Sequence, residues 1–311
     1  MTRAVARYRE RAIVTGGAGF VGSHLVDRLV AEGLDVLVVD DLSTGSAANI
    51  AAAARFEQGD VASSDLDGLF RDWRPGVVYH LAAQASVPRS EADPLGDLTI
   101  NVVGTHRVAA AARTAGAARL VFVSSGGAVY GETVRPATTG SVPAPRSHYG
   151  VHKLAAEGHV ALAGVPYAIA RPSNIYGPRQ MPGLEGAVVA AFLDQARRTG
   201  QLTIHGDGSQ TRDFIHVHDV VAALWRLAGL DGASGIWNVS SGRRTTVTEL
   251  ASTVERVLGR SLVRTFAERR PGDVRDSAIS SGGLRRLGWR PRVGLEAGLR
   301  GLADGSLDEA D

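Results

Sequence analysis

The sequence predicts an α/β protein built on a doubly wound parallel sheet, with a smaller, discontinuous α/β unit beside it. Three observations carry that expectation. Short apolar runs alternate with helical stretches through the first half, a glycine-rich turn closes the first run, and the rhythm changes after Arg171.

Arg11–Thr15 is a short apolar run that leads into glycines, and residues 21–32 then space their apolar side chains as an amphipathic helix does. Residues 36–39 form a second run, ending at Asp40. Further short apolar runs are read at Arg55–Gln58, 77–81 and 120–124, with 167–170 as a sixth strand. Runs of this kind between helices suit strands covered on both faces, and right-handed crossovers wind such a sheet in both directions. Residues 172–186 and 206–209 are rich in turn formers, whereas residues 236–239 look like one more core strand. The expected division is therefore residues 1–171 plus 213–240 for the first domain, and 172–212 plus 241–311 for the second.

The chain has 311 residues, enough for one large or two modest domains with a substantial core. Its net charge is +2, and its arginines are dispersed among acids, so neither nucleic acid nor a membrane surface is an expected partner. It has no cysteine, which excludes disulfides, thiolate metal sites and a cysteine nucleophile. The opening residues are polar rather than signal-like, and no apolar run approaches the ~18 residues of a membrane span. A cytoplasmic location is expected.

Thr15-Gly16-Gly17-Ala18-Gly19-Phe20-Val21-Gly22 contains GxGxxG between an expected strand and an expected helix, the context that gives the motif meaning. Glycines there let the backbone turn sharply and approach a pyrophosphate lying on the helix N-terminus, as in a Rossmann-type unit. Asp40 ends the second strand, placed to accept from an adenine-ribose 2′-hydroxyl. A carboxylate there repels a 2′-phosphate, so the cofactor expected is NAD rather than NADP, and Asp41 reinforces the choice. Asp60, after the third run, is a candidate for the adenine edge.

Tyr149 and Lys153 are four residues apart, one turn along the same face of an expected helix. A phenol titrates near ~10, and bringing it to about 7 takes roughly 4 kcal/mol, which a neighbouring ammonium and a positive nicotinamide ring are expected to supply. Lys153 is also the only lysine in the chain; the other basic side chains are arginines. A compact ammonium can contact ribose hydroxyls and lie under a phenolate where a planar guanidinium cannot.

Further motifs are His80-Leu81-Ala82-Ala83-Gln84-Ala85-Ser86-Val87, Asn101-Val102-Val103-Gly104-Thr105 and Ser124-Ser125-Gly126-Gly127-Ala128-Val129-Tyr130-Gly131. They continue with Arg171-Pro172-Ser173-Asn174, Gly177-Pro178-Arg179-Gln180, Arg212-Asp213-Phe214-Ile215-His216-Val217 and Arg270-Pro271-Gly272-Asp273. On these, over nearly its whole length, the chain resembles the extended short-chain dehydrogenase/reductase family of NAD-dependent epimerases and dehydratases. The likeness is greatest to the bacterial and archaeal UDP-glucose (UDP-galactose) 4-epimerases.

The resemblance implies a set of cofactor residues: Gly16, Gly19, Phe20, Val21, Gly22, Asp40, Asp41, Ser43, Thr44, Gly45, Asp60 and Val61. Leu81, Ala82, Ala83, Asn101, Ser124, Tyr149, Lys153 and Pro172 complete it, with Asn101 holding a backbone turn. For a UDP-sugar substrate it implies Gln84, Ser86, Gly126, Gly127, Tyr149, Asn174, Arg179, Val188, Arg212, Arg270 and Asp273. Arg212 and Arg270 are expected to clamp the diphosphate, since a guanidinium fork suits phosphate. The resemblance also implies a homodimer, joined through helices read at residues 98–115 and 149–163.

Two departures shape the expected chemistry. The family carries a catalytic Ser or Thr five residues before the glycine of its VYG motif, and that position is Gly126 here. Tyr149 is then the base, with Ser125 or an ordered water bridging to the sugar. Family dehydratases and decarboxylases carry an acid beside that hydroxyl, where this chain has Gly127 and Ala128. Elimination needs such a group and epimerisation does not, so 4-epimerisation through transient oxidation at C4 is the expected reaction.

Ser277 occupies a place where relatives restricted to plain hexoses carry a bulky Tyr, so N-acetylated UDP-sugars are expected to fit. UDP-glucuronate is the other contender, with Arg89 or Arg179 to meet its carboxylate. A dehydratase, a reductase of small carbonyl compounds and a non-catalytic dinucleotide sensor remain alternatives. His216 and His218, read as alternate residues of one strand, lack a third ligand, and no metal is expected.

Overall fold

The computed structural model describes residues 10–182, 187–230, 234–269 and 274–305. Strands β1 (Arg11–Thr15), β2 (Asp35–Asp40), β3 (Arg55–Gln58), β4 (Val77–His80), β5 (Arg119–Val123) and β6 (Tyr167–Pro172) come first. They are followed by β7 (Asn174–Tyr176), β8 (Gln201–His205), β9 (Thr211–His216), β10 (Gly235–Val239), β11 (Arg244–Thr246) and β12 (Val263–Ala267). Helices α1 (Phe20–Ala31), α2 (Leu66–Trp73), α3 (Val87–Ala92), α4 (Pro94–Leu98), α5 (Thr105–Thr114) and α6 (Gly126–Tyr130) lie in the first half. The rest are α7 (His148–Ala161), α8 (Val188–Thr199), α9 (Val217–Ala228), α10 (Val247–Leu258), α11 (Gly282–Arg286) and α12 (Leu295–Asp304).

Seven strands form one parallel sheet in the order β10-β6-β5-β4-β1-β2-β3. Strand alternation divides their side chains between two cores. Ala12 and Val14 of β1 join a cluster with Leu25 and Leu29 of α1 and Leu224 and Leu227 of α9. Ile13 joins a second cluster with Phe70 of α2, Val108 and Ala112 of α5 and Val160 of α7. Each buried Val, Leu or Ile contributes roughly 1.5–3 kcal/mol, so a continuous apolar strand is stable only between two helical layers. The architecture is the doubly wound, Rossmann-type sheet expected.

A third cluster gathers Phe192 and Leu193 of α8, Leu202 and Ile204 of β8, Leu250 and Val254 of α10 and Leu299 of α12. Beside it, β8 pairs with β12 in parallel, while β9 pairs with both β7 and β11. α10 begins with a capping box: Thr246 accepts from the Glu249 amide, and Glu249 accepts from the Thr246 amide.

Four local expectations need correction. β3 lies at the sheet edge with all four residues exposed, Phe56 being its only large apolar side chain. β7 falls inside the stretch read as turns, held by pairing with β9. The helix read over residues 98–115 is present but not α-helical throughout: the chain passes without interruption from α4 through the π-helical stretch Thr99–Gly104 into α5. There the Thr105 hydroxyl donates to the Asn101 carbonyl at 2.7 Å. His216 and His218 do not share a strand: β9 ends at His216, which caps α9, and His218 lies in the first turn of that helix. No helix among the described residues is long and apolar enough to cross a membrane.

Candidate active site

The order of the sheet places a switch point at β1, which pairs with β2 on one side and β4 on the other. Ligands of open α/β sheets bind at the carboxyl ends of strands beside such a point. Gly16 turns the chain out of β1 with φ +74°, and a Cβ on it would lie 2.5 Å from the Ala82 amide nitrogen. The turn therefore packs directly on the segment after β4. α1 starts one residue after its cap, Gly19, with no side-chain cap and no acid in its first turn. Its leading amides are left for an anion.

Asp40 is buried, and its carboxylate accepts from the Ala18 and Leu42 amides, both at 2.9 Å. Burial raises its pKa, and these amides oppose the shift. Asp41 is exposed and accepts from Ser43. Asp60 holds the turn after β3 by accepting from the Ala62 amide at 2.8 Å, and Val61 beside it is buried. Asn101 donates to the Gln84 carbonyl at 2.9 Å, while its buried Oδ1 has no partner among the described residues. An open helix N-terminus, a close-packed glycine turn and a carboxylate at the end of β2 fit NAD, and the carboxylate disfavours a 2′-phosphate.

A cleft of about 320 Å³ opens at the same end of the sheet. It brings together Ser125, Gly127, Tyr149, Asn174, Val188 and Arg212, all singled out in the sequence, together with Ser277. Gln84 and Ser86 are used locally instead. Gln84 donates to Asp97 at 2.7 Å and exchanges hydrogen bonds with Ser86, and the Ser86 hydroxyl caps α3. Arg179 is held by Asp27 at 2.7 Å rather than lining the cleft. Ser124 is buried and donates to Glu157 at 2.5 Å. Arg270 and Asp273 lie outside the described residues. The cleft also contains Arg146, Thr203, His205 and Gln210, none of which carries a local motif.

Tyr149 and Lys153 share a face of α7, whose first turn is capped by Ser147. Tyr149 reaches the cleft, yet enough protein surrounds its phenol for burial to push it up to about 12. A hydrogen bond from Ser125 works the other way, and the Asp97 charge adds to the rise. Burial likewise pulls Lys153 down to about 7, against the charges of Glu157 and Asp97. In the chain alone, then, desolvation governs both groups, and the expected pull of Lys153 on the phenol does not dominate.

Gly126 lies behind the cleft wall. A Cβ on it would come 2.5 Å from Ile279 Cδ1 and 3.1 Å from the Pro172 carbonyl oxygen. Ser125, one residue earlier, caps α6 through the Ala128 amide and presents its hydroxyl to Tyr149.

Residues 12–240 match the NAD dependent epimerase/dehydratase family. The chain belongs to that family. Among its relatives is a UDP-glucose 4-epimerase of Mycolicibacterium smegmatis, 42% identical over 301 residues that span 93% of this chain and 96% of that one. The UDP-glucose 4-epimerase of Thermotoga maritima, solved with UDP-glucose, superposes with a TM-score of 0.90 at 36% identity, over 96% of this chain and 100% of its own. The Thermus thermophilus UDP-glucose 4-epimerase, solved with NAD, gives 0.89 at 37% identity over 94% and 98%. For an epimerase/dehydratase the cofactor is NAD.

Proposed function

We propose that this chain is an NAD-dependent 4-epimerase of UDP-hexoses, acting on UDP-glucose and UDP-galactose and admitting their N-acetylated forms. The observation that carries the reading is the single cleft in which Ser125, Tyr149, Asn174 and Arg212 meet, with Gly127 and Ala128 in its wall instead of an acid. Bound NAD supplies a hydride acceptor, and afterwards a hydride donor, together with a positive ring charge that favours phenolate. Tyr149 takes the proton of the C4 hydroxyl and later returns one. Ser125 bridges sugar and phenol and stabilises the phenolate through its hydrogen bond. Lys153 supports the same charge from below. Arg212 and Asn174 hold the diphosphate, with Arg270 and Asp273 assigned to the same end by sequence. The sugar then turns over about its phosphate linkage without leaving the cleft, and an enclosed site keeps water from the keto sugar.

Cofactor contacts are assigned to the glycine turn, Asp40, Asp41, Asp60 and the segment from Leu81 to Ala83. The third apolar cluster supports a nucleotide-sugar domain made of residues 172–212 and 241–311. Leu95, Leu98, Val103, Val151 and Leu162 leave apolar surface on α4, the π-helical stretch and the α7 region, which supports a homodimer. Its mass in solution tests that. A cytoplasmic location, read from composition, belongs to the same proposal.

Arg146 favours a second reading, a UDP-glucuronate 4-epimerase, by offering a cation in the cleft that Ser125 and Tyr149 also line. One experiment addresses both. UDP-glucose, UDP-N-acetylglucosamine and UDP-glucuronate are incubated separately with the protein, products are separated chromatographically, and NADH absorbance is followed. A C4 epimer without net NADH supports the mechanism, and the fastest substrate selects the sugar. No epimer from any of them, even with NAD added, would remove the epimerase reading.

A further inference from the structure

Tyr149, Lys153 and Glu157 recur every four residues, so on α7 they stack along one face. Lys153 and Glu157 are both buried, at 2% and 4% exposure. A buried carboxylate survives only when paired and hydrogen-bonded. Glu157 Oε1 accepts from the Ser124 hydroxyl at 2.5 Å and from Arg171 Nε at 2.8 Å, and Oε2 accepts from Arg171 Nη2 at 2.5 Å. The guanidinium meets the carboxylate fork to fork. Arg171 is itself buried and lies 4.8 Å from the centre of the Tyr130 ring, whose hydroxyl donates to Asn238. One carboxylate thus ties α7 to the residue following β5, to β6 and, through Tyr130, to β10.

Two of these ties lead into the cleft. Ser124 directly precedes Ser125, the hydroxyl that faces Tyr149. Lys153 is one turn from Glu157, and its ammonium rests 4.3 Å from the centre of the Phe122 ring with no hydrogen-bond partner among the described residues. The titratable and charged groups near it are Tyr149 and Glu157 on α7, Asp97 on α4 and His80 on β4, with Arg171 of β6 paired to Glu157.

We propose that Glu157 is a positioning residue of the reaction: its carboxylate fixes the Ser124–Ser125 turn and Arg171 while supplying the negative charge that keeps Lys153 an ammonium beneath Tyr149. The proposal rests on Tyr149 and Lys153 being the catalytic pair. Burial draws Lys153 down to about 7, and Glu157 is the largest influence opposing it. Without that charge, Asp97 would be the remaining carboxylate opposing the effect of burial on Lys153.

Because Lys153 is the only lysine, protein labelled with ¹³C- and ¹⁵N-lysine gives one Cε resonance, and its titration needs no assignment. In Glu157→Gln the midpoint should fall by about one pH unit or more, the size expected on losing an opposite charge. Glu157→Asp should stay near the wild type. Glu157→Gln strands Arg171, so the double variant Glu157→Gln/Arg171→Gln is measured as well, and its midpoint should also fall below that of the wild type. The alkaline limb of kcat should move with the midpoint. Unchanged midpoints in both Gln variants, or a kcat limb that stays while the midpoint moves, would leave Glu157 a purely structural residue and overturn the proposal. A wild type that turns over no UDP-sugar would instead remove the functional reading, while the resonance still judges whether Glu157 sets the charge of Lys153.

Discussion

Ile279 fills the space that a side chain on Gly126 would need: the Cβ of any other residue there would come within 2.5 Å of Ile279 Cδ1. Ile279 is itself buried against Tyr130 and Ala137. Gly126→Ser should therefore destabilise the protein by about 1–3 kcal/mol through overpacking, without a gain in kcat. Ser125→Ala should instead leave stability within about 1 kcal/mol, the worth of one cap, and lower kcat some ten- to a hundredfold. Thermal unfolding and steady-state kinetics on the two variants separate the effects. Full kcat in Ser125→Ala would hand the bridging role to water.

Lys153 costs the fold stability. Its pKa is lowered from the unfolded value to about 7, so between about 7 and 10 the native state binds fewer protons than the unfolded state. Stability from this group therefore rises with pH across that window and is lowest below it. Lys153→Met should remove the penalty, stabilising the protein at pH 7 by on the order of 4 kcal/mol at most, while kcat falls at least a thousandfold. Calorimetry at pH 7 and pH 10 checks the sign, since the advantage of the variant must shrink at the higher pH. A variant less stable at pH 7 would mean that the Phe122 contact outweighs desolvation.

Asp40 links the cofactor choice to the glycine turn, since one carboxylate oxygen accepts from Ala18 and the other from Leu42. Asp40→Ala should weaken NAD binding about ten- to a hundredfold, the worth of a charged hydrogen bond, and narrow the preference for NAD over NADP. Fluorescence titration with both dinucleotides reads this directly. An unchanged ratio of the two affinities would place the discrimination elsewhere, Asp41 being the next candidate.

What the sequence discloses here follows from how local each feature is. Arg11–Thr15 and the glycines after it declare themselves because strand, turn and helix start are contiguous, and Tyr149 and Lys153 because four residues make one helical turn. Exposure of β3 depends on its lying outermost in the sheet, which no window of sequence contains. The π-helical winding at Thr99–Gly104 leaves the chain helical, so apolar periodicity does not register it. Arg146, Thr203, His205 and Gln210 reach the cleft by tertiary packing alone. Glu157 was readable only as a helix residue, because Ser124 lies 33 positions away in the chain.

Ser277 offers the sharpest control over the sugar. It is buried at the cleft wall, and a Cβ on Gly127 would stand 3.5 Å from its hydroxyl, so two small residues face one another where the sugar must turn. Ser277→Tyr adds a ring to that space. It should abolish most turnover of UDP-N-acetylglucosamine while leaving UDP-glucose within about tenfold, a size filter of the kind a pocket wall imposes. Competition kinetics with both substrates in one tube give the ratio of kcat/KM values free of errors in active-enzyme concentration. Equal losses on both sugars would mean that the ring blocks the nucleotide rather than the N-acetyl group, and the specificity role would pass to Val188 and Phe192, which line the same cleft.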